Sequence, residues 1–73
     1  MCGIVGYVGE HPALPILLEG LYKLEYRGYD SSGIVLHTEW GLQVFRTPGK
    51  IRDLENLTKG SSAPYTLGIG HTR

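Results

Sequence analysis

A chain of 73 residues is about half of an average domain of ~150, so any core it builds alone is small. Seven Lys and Arg against seven Asp and Glu give zero formal charge, which excludes the basic excess of a nucleic-acid arm or membrane-surface patch. No apolar run nears the ~20 residues of a spanning helix, no secretory signal opens the chain, and a single cysteine cannot form an internal disulfide; the expectation is a soluble chain of a reducing compartment, the cytoplasm.

Cys2 to Gly9 is short, apolar and β-branched, and reads as a buried strand. Gly3, Gly6 and Gly9 recur every third residue, which fits neither a strand face nor a helix face. They read as places where another backbone or a ligand comes close. Glu10-His11-Pro12 breaks the strand, and Pro12 or Pro15 suits a first helical turn, where a missing N–H costs little. Leu14, Leu17, Leu18, Leu21 and Leu24 then trace one apolar stripe of a helix ending near Glu25. Glu19 and Lys23 form an i, i+4 pair on its wet side.

Tyr26 to Asp30 ends that helix in a turn. Gly33 to Thr38 is a strand, Glu39-Trp40-Gly41 a tight connection, and Leu42 to Thr47 a second strand, together a hairpin. Ile51, Leu54 and Leu57 mark a shorter helix from Lys50 to Lys59, with Gly60 as its stop. Residues 61–64 read as loop, and Thr66 to Arg73 as a last strand. These elements predict an α+β layering. The final strand has no turn, polar tail or cap after it, so residues 1–73 are expected to open a larger domain. The alternative is a small protein stabilised by self-association.

Cys2 is the first candidate for chemistry. At an arbitrary position a lone cysteine is a small buried hydrophobe. Removal of Met1 makes this one amino-terminal, with a thiol of pKa roughly 8.5 and an α-amine near 7.7–8.0 on the same α-carbon. The amine is well matched to take the thiol proton, directly or through a water. Nucleophile and base then come from one residue. With Met1 retained, Cys2 carries a non-basic amide instead.

His11 and His37 read as solvent-facing, and the three histidines are too far apart for the short spacing of a zinc site. His71 lies beside glycines at a strand end, where a structural hydrogen bond is the plainer role. Arg73 is either a solvated surface arginine or a planar fork for a carboxylate. In Arg27-Gly28-Tyr29-Asp30-Ser31, Gly28 suits a positive φ and Asp30 or Ser31 can bond its own backbone. The functional reading makes Arg27 and Asp30 the wall of a site. The glycines match neither dinucleotide nor Walker patterns. Asn56-Leu57-Thr58 has the form of a glycosylation sequon, but within a helix of a chain lacking a secretory signal.

Three segments together carry a family resemblance: Met1-Cys2-Gly3-Ile4-Val5-Gly6, the run from Leu24 through Glu25-Tyr26-Arg27-Gly28-Tyr29-Asp30-Ser31 to Gly33, and Gly70-His71-Thr72-Arg73. In this order and at these separations the chain resembles the class II glutamine amidotransferases, which are amino-terminal-nucleophile (Ntn) hydrolases. Within that class it is most similar to the branch that aminates fructose 6-phosphate to glucosamine 6-phosphate. The phosphoribosyl-pyrophosphate branch is the alternative, and so is a non-catalytic paralogue acting as a binding module. The resemblance implies a four-layer αββα Ntn fold, present here in part. It implies Cys2 as nucleophile, Arg73 as the arginine that binds the α-carboxylate of glutamine, and Arg27 packed beside the nucleophile. Gly28, Asp30, His71 and Thr72 match motif positions with supporting roles. No metal or cofactor is implied. The partners are glutamine and, at a site outside this chain, fructose 6-phosphate, in a homo-oligomeric whole protein. The family's oxyanion-hole Asn-Gly pair falls beyond residue 73. One lost oxyanion donor costs ~10²–10³ in rate, so the segment alone is expected to be inactive.

Overall fold

The computed structural model describes residues 3–28, 30–59 and 65–73, with only the main chain of Arg27. Cys2 and the predicted stop and loop at 60–64 lie outside the described residues. The elements run β1 (Gly3–Val8), α1 (Ala13–Leu24), a 3₁₀ turn (Glu25–Arg27), β2 (Ser32–Thr38), β3 (Gly41–Thr47), α2 (Ile51–Thr58) and β4 (Leu67–Thr72). The α+β expectation holds. One sheet of order β1-β4-β2-β3, antiparallel at every pairing, carries both helices on a single face.

α1 starts where the prolines allow it. Pro12 is its N-cap at φ −56°, and Pro15 sits in the first turn, where an N–H has no intrahelical acceptor. The free N–H of Ala13 donates to the Tyr65 carbonyl at 2.7 Å, which ties the helix start to the approach of β4. Leu17, Leu18 and Leu21 bury against the sheet together with Ala13, while Leu14 and Leu24 flank them half-buried. Each fully buried leucine contributes about 1.5–3 kcal/mol relative to exposure. On the wet side Glu19 and Lys23 pair at 3.6 Å, too exposed to matter much.

The central position of β4 follows from its glycines. A Cβ on Gly68 would stand 2.8 Å from Leu17 Cδ1, and one on Gly70 would stand 3.1 Å from Leu21 Cδ1. Two side chains one helical turn apart therefore rest on a strand stripped of side chains on that face. Ile34 and Leu36 of β2, with Ile51 and Leu54 of α2, complete the core.

Three expectations need correcting. β1 is not a buried strand: its residues alternate between half-buried and exposed, because nothing among the described residues covers its second face. The glycine triplet does not share one role either. Gly3 is crowded by Leu24 and Thr72, Gly9 lies against the Tyr7 ring, and Gly6 has nothing within 4 Å of a would-be Cβ. In α2, Leu57 is exposed and Thr58 is buried in its place. At about 100° per residue, position 58 returns to the azimuth of Ile51 while position 57 is about 120° away. Thr58 then satisfies its hydroxyl by donating to the Glu55 carbonyl at 2.7 Å.

The helix-free face of the sheet presents Ile4, Val8, Leu42, Val44, Leu67 and Ile69, all exposed. No helix among the described residues is long and apolar enough to cross a membrane.

Candidate active site

The three motif segments meet at one end of the sheet. Gly3, the first residue of β1, pairs with Thr72, the last of β4, and Thr72 also pairs with Ser32, the first of β2. Thr72 is buried between them. A Cβ on Gly3 would lie 3.3 Å from Thr72 Oγ1 and 2.7 Å from Leu24 Cδ1, so a larger residue here would have to push the end of the Leu24 side chain aside.

The β2–β4 ladder continues one step further. The Arg73 N–H donates to the Ser31 carbonyl at 2.8 Å, and the Ser31 N–H donates back to the Arg73 carbonyl at 3.1 Å. The Asp30 N–H donates to that same carbonyl. Through their main chains these two residues also grip a residue more than forty positions away in the sequence. The main chain of Arg73 is fixed while its side chain is exposed. A rooted guanidinium with a free head suits bidentate recognition of a planar anion.

Gly28 makes this approach possible. Its N–H closes the 3₁₀ turn on the Glu25 carbonyl at 3.1 Å. Its φ of 76° and ψ of 145° fall close to a region that glycine alone occupies freely. The positive φ expected at this position is present. The side chain of Arg27 lies outside the description, and Asp30 takes part through its main chain.

His71 emerges on the helix-free face. Its Nε2 lies 2.8 Å from where a Cβ on Gly33 would be, so the motif glycine at 33 leaves room for the ring. No hydrogen bond of this imidazole is found among the described residues. The ring lines a shallow cavity of about 270 Å³ with Ser31, Ser32, Arg46, Thr47 and Pro48. His11 and His37 are exposed, as read from the sequence.

No family model matches the chain. Curated relatives match it along its whole length. The glutamine–fructose-6-phosphate aminotransferase [isomerizing] of Gloeobacter violaceus is 54% identical over 74 aligned residues, covering 100% of this chain and 12% of that protein. The proteins of the same name from Bacteroides thetaiotaomicron and Bacillus subtilis are 51% and 53% identical, again over 100% of this chain and 12% of theirs. This chain is homologous to the amino-terminal region of the glutamine–fructose-6-phosphate aminotransferases. It spans about an eighth of the length of those relatives.

Two features of the described residues escape the sequence reading. The Ser32 hydroxyl is fully buried with no hydrogen-bond partner among the described residues, directly beside Thr72 in the ladder. A serine inside Asp30-Ser31-Ser32-Gly33 reads as turn chemistry, and only the register shows that it starts a strand. The second is a tie between helices, from the Tyr22 hydroxyl to Glu55 Oε1 at 2.6 Å. Tyr22 lies off the leucine stripe, and nothing in the spacing pairs it with a residue of α2. The bond to the Glu55 carboxylate, then desolvation and the nearby negative charges of Glu55 and Glu25, push the Tyr22 phenol up to about 12, with Arg52 opposing.

Proposed function

We propose that this chain is the nucleophile-bearing start of a glutaminase domain, in a protein that uses the released ammonia to convert fructose 6-phosphate to glucosamine 6-phosphate. One observation carries the reading. The ladder pair Gly3–Thr72 joins the residue bonded to Cys2 with the residue bonded to Arg73. A nucleophile and a carboxylate-binding fork, 71 positions apart in the numbering, each stand one peptide bond from the same pair. The whole-length similarity to aminotransferases named for glutamine supports the same assignment.

The chemistry then runs on Cys2 alone. With Met1 removed, the α-amine takes the thiol proton, and the thiolate attacks the side-chain amide carbon of glutamine. The ammonium formed returns its proton to the departing nitrogen, so ammonia leaves and a γ-glutamyl thioester remains. Water, losing a proton to the same amine, attacks the thioester. Glutamate departs and the thiol is regenerated. Arg73 holds the α-carboxylate of glutamine through both halves. Arg27, Gly28, Asp30, His71 and Thr72 support the two working residues.

The bare apolar face of the sheet supports a four-layer αββα architecture, in which a second sheet, from chain beyond these 73 residues, packs on it. Residues 1–73 would then supply one helix layer and four strands, working in the reducing cytoplasm, where a free thiol persists.

The decisive test is covalent. A glutamine analogue carrying an electrophile in place of the side-chain amide is expected to label Cys2 in the mature complete protein, as read by peptide mass. Cys2→Ala, or a form that keeps Met1, is expected to lose the label and to lower glutamine hydrolysis by roughly 10⁴-fold or more. An unlabelled Cys2 in protein lacking Met1 refutes the assignment.

A further inference from the structure

We propose that the main chain of Asp30 and Ser31 is a preformed positioning clamp for Arg73 that sets the affinity for glutamine; this rests on the reading that Arg73 binds the α-carboxylate. Three hydrogen bonds converge on Arg73: its N–H to the Ser31 carbonyl at 2.8 Å, the Ser31 N–H to its carbonyl at 3.1 Å, and the Asp30 N–H to the same carbonyl. Its neighbour Thr72 is buried and paired on both sides, by Gly3 and by Ser32. The root of the arginine is thus held as firmly as a core ladder position, although its side chain is exposed.

That arrangement has an energetic consequence. A binding residue that must be ordered by its ligand loses affinity to the ordering cost; one whose backbone is already fixed loses only side-chain freedom. Because glutamine and the species along its hydrolysis share the same α-carboxylate, the clamp contributes equally to ground state and transition state. Loosening it therefore raises KM and leaves kcat alone. The clamp also explains why the Gly28 turn precedes Asp30. Without a residue that tolerates φ 76°, the chain would not swing from α1 to the end of β4.

The experiment uses the complete protein and two readouts. Ser31→Pro removes the N–H that donates to the Arg73 carbonyl and keeps the carbonyl that accepts from Arg73. KM for glutamine is expected to rise about tenfold, the loss typical of one well-made hydrogen bond, with kcat changed less than about twofold. A fall in kcat at unchanged KM overturns the clamp. The second readout needs no variant. In unliganded wild type the Arg73 amide is expected to exchange with deuterium as slowly as Val35 and Ile69, paired inside the β2–β4 ladder. Exchange at the rate of an exposed loop, slowing only when glutamine is added, also overturns it. If the wild type hydrolyses no glutamine, the proposed function fails, while the exchange rates still decide whether the clamp exists.

Discussion

The two faces of this sheet are built from the same strands and nearly the same residue types, and they differ in what covers them. On the helix side, Ile34 and Leu36 are buried completely, and Gly68 and Gly70 clear a path for Leu17 and Leu21. On the other side, Ile4 is 79% exposed between half-buried neighbours, and Ile69 is 53% exposed between buried ones. A sheet that faces water on one side alternates apolar with polar residues; one buried on both sides reads as a continuous apolar run. β1 has the second kind of sequence in the first kind of setting. In the proposed four-layer architecture a second sheet would cover this open face.

The largest effect tests that difference directly. In the complete protein, Leu17→Ala is expected to cost about 2–5 kcal/mol in urea unfolding. Ile69→Ala is expected to cost at least ~2 kcal/mol, as for a buried residue, despite its exposure here. An Ile69 effect within about 0.5 kcal/mol, as at an ordinary surface site, breaks the two-sheet reading.

A smaller effect separates the core from the site end. Ser32 is as buried as Leu36, yet its hydroxyl has no partner among the described residues. An unsatisfied buried hydroxyl costs about 1–3 kcal/mol. Ser32→Ala is therefore expected to raise stability by about 1 kcal/mol, read from the urea midpoint at unchanged slope. Destabilisation by the same amount would mean that the hydroxyl is bonded in the complete protein, and would sharpen the contrast between the two regions.

How much of this was legible in the sequence depends on range. The leucine stripe of α1, the hairpin, and the turn at Gly28 are set by neighbours within a few residues, and periodicity or backbone freedom reveals them. Insertion of β4 between β1 and β2 is a long-range choice. Its signal, Gly68 and Gly70 at strand period opposite Leu17 and Leu21 at helix period, is visible only once the two elements are placed together. The main-chain pairing of Asp30 and Ser31 with Arg73 was hidden for the same reason, because residue spacing does not reveal a distant backbone acceptor. Leu57 misled through its chemistry, because an apolar residue near the expected stripe outweighed the angle that favours Thr58. Cys2 stood out through position alone, as a second residue that removal of Met1 would make the first.

The Tyr22–Glu55 tie joins the two helices on the outer side of the layer, far from the contested face, and its pH dependence has a definite sign. The hydrogen bond holds the phenol protonated, so its pKa in the folded chain, about 12, lies above the unfolded value of 10.0. A raised pKa means that the folded state keeps its proton where the unfolded state has lost it. The stabilisation is present in full below pH 10 and is lost as pH rises from there through 12. Tyr22 is more than a third exposed, so solvent screening limits the bond to roughly 0.5 kcal/mol. Tyr22→Phe is therefore expected to lower stability by that amount at pH 8, and the gap to wild type should close between pH 10 and 12. A gap that stays constant across that range would assign the effect to ring packing, with the helices held together by their apolar contacts alone.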